Sequence, residues 1–245
     1  MIRNETIWIT GASSGIGYAT AKTLALSGNQ IIASGRNREA LEKLAAESAN
    51  ITPMICDLVT DSQDQIYQSL SLLTTRLDRI VLSAGDCLYL DIDSKDWSCT
   101  QSVMDINYHG SVRAIQAALP LLEKSTNGHI VGITSMASMT PFTQAEAYGA
   151  SKAAFSYFLA ALRIDLKPKN IDVTDVMPGF IDTPLTQKND FSMPFLLSPQ
   201  EASDRIVKAI EKRNFTAVFP KRLYWLFKFL TFIPKTWVKT NSPKK

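Results

Sequence analysis

The chain has 245 residues, 45% of them hydrophobic, and carries 26 Lys/Arg against 23 Asp/Glu for a net charge of +3. That length suits one compact α/β domain with a large core and excludes a second full domain, and no apolar run approaches the roughly 20 residues that a bilayer-spanning helix needs. Three cysteines, Cys56, Cys87 and Cys99, are odd in number and lack metal-ligand spacing, which argues against a disulfide framework or a metal site; with no charged-then-apolar leader, the expected location is cytoplasmic.

Thr6-Ile7-Trp8-Ile9 is β-branched and aromatic and predicts a buried strand. It runs into Thr10-Gly11-Ala12-Ser13-Ser14-Gly15-Ile16-Gly17, after which Tyr18 to Ser27 places Ala, Leu and Thr at helical spacing. Strand, glycine loop and helix start together predict a pyrophosphate cradle. Glycines let a phosphate approach the backbone, and unpaired amides with the helix dipole favour its charge. Gln30-Ile31-Ile32-Ala33-Ser34 predicts the second strand. A carboxylate at its end would suit the ribose 2′-hydroxyl of NAD, but Ser34 and Arg36 stand there, a hydroxyl and a planar cationic fork suited to a 2′-phosphate, so NADP(H) is expected over NAD(H).

Arg38 to Ser48 predicts a helix, Ile51 to Cys56 a strand ending at Asp57-Leu58, and residues 61 to 76 a further helix. Asp57 on residue chemistry alone reads as a helix cap. Arg79 to Ser83 predicts a fourth strand, closed by Ala84-Gly85. Strand alternating with helix four times predicts the fold class: α/β, a Rossmann-type doubly wound parallel sheet. Lys95 to Glu123 then predicts one long helical region holding Asn107, His109 and Gly110. A buried helical Asn is ordinarily a structural hydrogen-bonding group, and the unpartnered His109 reads as local structure.

Gly128 to Thr134 predicts a strand with Ser135 at its carboxyl end, the edge where open α/β sheets bind ligands. Thirteen residues on comes Tyr148, followed by Lys152. Positions i and i+4 share a helix face, so phenol and ammonium can address one point. Reducing a carbonyl needs a proton donor at oxygen, and a phenol of pKa near 10 serves near neutrality once a cation stabilises its anion. On this reading Lys152 depresses the Tyr148 pKa and Ser135 holds the same substrate oxygen.

The T-G-x-x-x-G-x-G spacing of Gly11, Gly15 and Gly17, the N-x-x-G of Asn107 and Gly110, Ser135, and the Y-x-x-x-K of Tyr148 and Lys152 resemble, in this order, the short-chain dehydrogenase/reductase family over residues 5 to about 215. The resemblance implies that Gly11, Ser13, Ser14, Gly15, Ile16 and Gly17 hold the dinucleotide and that Asp57 and Leu58 lie against its adenine. Ala84 and Gly85 would approach a ribose, although Leu82-Ser83-Ala84-Gly85 departs from the family's N-A-G by placing Ser83 where Asn supports the sheet. It further implies that Asn107 anchors a water chain to Lys152, and that Lys152 also reaches the nicotinamide ribose. After the sixth strand, Ile171 to Val176, the turn Pro178-Gly179 with the Ile181 backbone and the Thr183 hydroxyl would hold the nicotinamide carboxamide. Residues 185 to 197, with Phe191, Met193, Phe195 and Leu196, would form an apolar lid. A homodimer or homotetramer built on the Asn107 and Tyr148 helices is implied as well.

Pro199 to Lys212 predicts a helix and Ala217-Val218-Phe219 a last strand. Residues 205 to 245 hold eleven Lys/Arg and the single acid Glu211, a balance of +10 that leaves −7 for the remainder. From Lys221 an apolar stripe of Leu223, Leu226, Phe227, Leu230 and Ile233 is joined by Trp225, Phe229 and Phe232. Two readings stand: packing against the substrate pocket or a second subunit, or peripheral membrane contact through residues 221–239 with Arg222, Lys228, Lys235 and Lys239 at the headgroups. Nucleic acid is excluded as a partner by the lack of a recognition motif. The chain thus divides into a catalytic unit, 1–219, and a basic, aromatic extension, 220–245. The expected activity is NADP(H)-dependent interconversion of a carbonyl and a secondary alcohol on a hydrophobic small molecule. The rivals are a 3-oxoacyl-thioester reductase and a dinucleotide-sensing or membrane-associated binding module without turnover.

Overall fold

The structure, a computed structural model, describes residues 2–188 and 192–241, the last two by backbone alone. Seven strands, β1 (Thr6–Thr10), β2 (Gln30–Gly35), β3 (Ile51–Ile55), β4 (Arg79–Leu82), β5 (His129–Ile133), β6 (Asp172–Pro178) and β7 (Thr216–Phe219), form one sheet in the order β3-β2-β1-β4-β5-β6-β7. Every neighbouring pair is parallel. The helices are α1 (Gly15–Leu26), α2 (Arg38–Ala46), α3 (Gln63–Leu73), α4 (Ser98–Met104), α5 (Ser111–Leu122), α6 (Glu146–Leu166), α7 (Pro199–Glu211), α8 (Lys221–Leu230) and α9 (Pro234–Asn241). This is the doubly wound, Rossmann-type single domain that the alternation predicts.

Crossover helices cover both faces of a parallel sheet, which is why Ile7, Trp8 and Ile9 are all fully buried although they alternate in direction. Ile7, Ile9 and Ile31 pack with Leu24 of α1 and with Ile206 and Ile210 of α7. On the other face Trp8, Ile80 and Ile130 pack with Leu70 of α3, Leu121 of α5 and Phe155 and Leu159 of α6. Each such side chain contributes about 1.5–3 kcal/mol on burial. Gly132 of β5 lets α6 close on the sheet, because a Cβ there would stand 3.0 Å from Phe155 Cε1.

The order reverses beside β1. From there β2 and β3 run one way and β4 onward the other, so the connections leaving the carboxyl ends of β1 and β4 part and open a crevice. At the opposite edge the charges satisfy one another. Arg79, 2% exposed, pairs with Glu5 at 2.8 Å, and Asp78 accepts from the Thr6 amide at 2.9 Å. His129 is hydrogen-bonded to both Arg79 and Thr174.

The helical region expected over Lys95 to Glu123 is one continuous length from Ser98 to Leu122, in which a π-helical turn at Asp105–Gly110 joins α4 to α5. The apolar periodicity runs across the junction and hides the change in winding. At the other end the extension is two helices, α8 and α9, separated by a turn at Thr231 and Phe232.

Candidate active site

The crevice is a cleft of about 610 Å³ along the carboxyl edge of the sheet. All the predicted site residues except Gly17 and Asn107 line it. A Cβ on Gly17 would collide with the Gly11 carbonyl, so that glycine serves close packing of α1 on the loop. Gly11 itself has φ +66°, and a Cβ on it would fall 2.6 Å from the Ala84 Cα, so only glycine lets these two loops meet.

The start of α1 opens onto this cleft without a side-chain cap. Asn37, Ser62 and Ser198 each accept a backbone amide at the start of α2, α3 and α7. Ser14, which precedes α1, makes no such bond. The first amides of α1 therefore face the cleft with no side-chain acceptor, where an anion would complete them. The glycine cradle, these amides and the exposed Arg36 fork fit a dinucleotide phosphate chain. Ser34 does not add to that fork as expected. It is 1% exposed, and its hydroxyl accepts from Trp8 Nε1 at 2.8 Å and donates to the Ile9 carbonyl. Asp57 does serve the turn it opens, accepting from the Val59 amide at 2.9 Å, while its residue still lines the cleft beside Leu58.

The departure at Ser83 has a local remedy. Thr10 Oγ1 accepts from the amides of both Ser83 and Ala84 at 3.2 Å, holding the end of β4 to the end of β1. Asn107, fully buried in the π-turn, accepts from the Asp86 amide at 2.8 Å and donates to the Asp86 carbonyl and to Ser151 Oγ at 2.9 Å. Ser151 in turn donates to the Tyr148 carbonyl at 2.8 Å. Asn107 thereby ties the Gly85 loop to α6, the helix that carries Tyr148 and Lys152.

Ser135, just beyond β5, lines the cleft beside the Tyr148 phenol and opposes the rise in its pKa. Lys152, 6% exposed, donates to the Ile133 carbonyl at 2.9 Å and stands 5.8 Å from the centre of the Tyr148 ring. The expected depression of the phenol pKa is not what the site produces. Burial pushes Tyr148 up to about 12, the Ser135 hydroxyl opposing it, and burial pushes Lys152 down to about 8, with Asp175 opposing. Removal from water is the largest influence on each of the two groups. The phenol consequently keeps its proton at neutral pH, in the form that can donate.

Asp175 is the residue that sequence reasoning missed. It lies inside β6, 6% exposed, and accepts at 2.5 Å from Thr134 Oγ1 and from Ser156 Oγ. Thr134 precedes Ser135 and Ser156 lies one turn after Lys152, so the carboxylate braces one support of the site against the other. The signal in the sequence was an acid in the middle of an apolar strand run, a place where a charge needs partners.

The carboxamide candidates sit at the far wall. Thr183 is 8% exposed and its Cγ2 would stand 3.0 Å from a Cβ on Gly15, and the Ile181 carbonyl accepts from Thr186 Oγ1 at 2.5 Å. The apolar lid is corrected in part. Leu185, Thr186 and Lys188 line the cleft, but Phe195 and Leu196 are 47% and 42% exposed and do not, while Leu197 is bridged to Ile181. Phe191 lies outside the described residues.

A doubly wound sheet with a glycine cradle at its switch point and Ser, Tyr and Lys converging beside it defines the class: a Rossmann-type oxidoreductase. The family model for the short chain dehydrogenase matches residues 5–192, and the chain belongs to that family. A relative named only as an uncharacterized oxidoreductase, from Myxococcus xanthus, is 32% identical, covering 89% of this chain and 88% of its own. A fatty acyl-CoA reductase of Acinetobacter baylyi is also 32% identical, over 91% of this chain and 76% of that protein. Among solved structures, a short chain dehydrogenase from Burkholderia cenocepacia in complex with NADP superposes with a TM-score of 0.85 at 21% identity, covering 99% of both chains. An active-site complex of Pseudomonas aeruginosa RhlG with NADP gives 0.77 at 23%, covering 89% of this chain and 95% of that one. These two likenesses speak for the fold.

Proposed function

We propose that the protein is an NADP(H)-dependent reductase of a carbonyl group on an apolar, fatty-acyl-like molecule, acting within a catalytic unit formed by residues 1–219. The observation that carries this reading is the convergence of the Ser135 hydroxyl, the Tyr148 phenol and the Lys152 ammonium at the carboxyl edge of β5, in the same cleft as the uncapped start of α1. The cofactor, when bound, supplies the hydride. The chain's own groups do the rest. Ser135 fixes the substrate oxygen, Tyr148 donates its proton to that oxygen, and Lys152 stabilises the phenolate left behind. Asn107 and Asp175 hold the supports in place.

Arg36 and the amides of the glycine loop bind the phosphates, and the exposed guanidinium favours the 2′-phosphate. The two NADP-bound structural neighbours support this preference, and the A. baylyi relative supports an acyl substrate. Within the same reading, Tyr157 and Ile164, exposed on α6 at 80% and 74%, face a second copy of the chain, and residues 220–245 form an appendage that meets a membrane surface peripherally.

The test is Tyr148→Phe, assayed for NADPH oxidation over aliphatic ketones and acyl thioesters and for NADPH binding by fluorescence. Loss of turnover by about 10²-fold or more with binding retained is expected. Undiminished turnover in the variant would remove Tyr148 from the chemistry. Turnover confined to acyl thioesters would select the 3-oxoacyl-thioester reductase. NADPH binding with no turnover by the parent on any of these substrates would favour the sensing module.

A further inference from the structure

The extension has two faces of opposite fate. Leu223 and Phe227 are buried against Met136, with Phe142, Phe180 and Leu230 around them, and Trp237 of α9 meets Phe142 and Phe227 edge to face. Trp237 Nε1 donates to the Pro141 carbonyl at 2.7 Å, and Thr140 Oγ1 to the Phe227 carbonyl. Folding has therefore fixed which side of α8 is core. The remaining apolar residues are left outside: Trp225 and Phe229, one helical turn apart on α8, are 61% and 60% exposed, Phe232 in the turn that follows is 75% exposed, and Leu226 is 48% exposed beside them. Single exposed aromatics are ordinary, but a contiguous stripe with its opposite face already packed calls for a partner.

Charge selects that partner. Lys221, Arg222, Lys228, Lys235 and Lys239 flank the stripe, and no Asp or Glu occurs after Glu211. Among the described residues none of the five pairs with a carboxylate. Lys228 instead lies along the aromatic rings, 5.8 Å from the centre of Tyr224 and 5.2 Å from that of Trp225. A second copy would bring five more cations to the same seam, at a cost in like-charge repulsion. A sheet of anionic headgroups over hydrocarbon complements both the cations and the rings. No helix among the described residues is long and apolar enough to cross a membrane, so contact is confined to the surface.

We infer that the outer face of α8, with the turn at Phe232 and the lysines of α9, docks this protein on an anionic lipid bilayer. Trp225, Phe229 and Phe232 enter the headgroup boundary, and the cations meet phosphates above them. The docked face lies beside the cleft. Leu223 packs over Gly179, where a Cβ would stand 2.7 Å from its Cδ2, and Met136 is the residue after Ser135. The inner face of α8 thus leans on the two loops that carry cleft residues Ser135 and Gly179. Docking would let an apolar substrate pass from bilayer to cleft without crossing water. That consequence rests on the substrate class proposed above, whereas the docking itself does not.

The experiment is co-sedimentation of the full chain with vesicles of phosphatidylcholine, with and without phosphatidylglycerol, read in the absence of substrate. Binding to the anionic vesicles only, weakened by salt, is the expected result. Trp225→Ser, Phe229→Ser and Phe232→Ser combined should weaken it about tenfold or more, with NADPH binding and the thermal midpoint unchanged. As a second variant that leaves the rings alone, Lys221→Gln, Arg222→Gln and Lys228→Gln combined should abolish the preference for anionic vesicles. The inference is overturned if the parent ignores anionic vesicles, if it binds neutral ones equally well, or if neither variant changes binding. A concentration-dependent dimer that the serine variant dissociates, without vesicle binding, would assign the face to a second copy. A chain that docks on vesicles but reduces no ketone or thioester would fail the proposed activity alone.

Discussion

Both edges of the sheet bury charge, and they treat it in opposite ways. At the amino edge Arg79, Glu5, Asp78 and His129 are matched to each other and to Thr174 and the Thr6 amide. At the carboxyl edge the start of α1 has no side-chain cap, the Arg36 guanidinium has no carboxylate partner among the described residues, and Lys152 holds one carbonyl while burial brings its pKa down to about 8. Closed networks hold a fold together. Groups with bonding capacity left over are available to a ligand.

The closed network depends most on Arg79. Removing it by Arg79→Leu leaves Glu5 and His129 without their shared partner, and a loss of about 3–5 kcal/mol is expected in urea unfolding, with the cofactor affinity of the folded fraction unchanged. The counterpart at the other edge is Arg36→Ala. Stability should stay within about 0.5 kcal/mol, while NADPH affinity falls about 10- to 100-fold and NADH affinity does not, as measured by fluorescence titration. Equal losses for both cofactors would take Arg36 off the 2′-phosphate.

Asp175 tests the border between the two behaviours. Its carboxylate raises the proton affinity of Lys152, so Asp175→Asn should move the Lys152-dependent limb of the pH–rate profile to lower pH. A lower rate with an unmoved limb would make it a brace and nothing more. The smallest effect lies at His129. Burial and neighbouring arginines hold its pKa well below 6.5, so the unfolded chain takes up a proton that the folded chain refuses. Stability therefore falls as pH drops below about 6.5, by at most about 1.4 kcal/mol per pH unit. His129→Gln should flatten that slope in thermal melts, and an unchanged slope would trace it to other groups.

What the sequence made legible was the order of elements and the chemistry at strand ends, because both depend on residues close together in the chain. The glycine loop, Ser135 and the i, i+4 pair of Tyr148 and Lys152 converge as their spacing implies. Long-range burial was not legible. Ser34 promised a hydroxyl to a phosphate, but Trp8, 26 residues away, takes it up. The phenol was expected to be acidified by its lysine, yet the balance between burial and attraction depends on a distance that no spacing gives. Asp175 and its partners come from three separate elements, and the exposed face of α8 could be told from the buried one only after Met136 and Phe142 had been placed against it.

The π-turn at Asp105–Gly110 has one more consequence. It is equivalent to one extra residue wound into an α-helix, and an α-helix advances about 100° per residue. Deleting any one residue of the turn would rotate Asn107 and the apolar stripe of α5 out of phase, so that either the amide keeps Asp86 and Ser151 or Ala114, Ala118 and Leu121 keep the core, but not both. The turn is a phase shifter. It lets one continuous length of helix answer to two partners, the sheet and the catalytic helix, whose directions a regular winding could not reconcile.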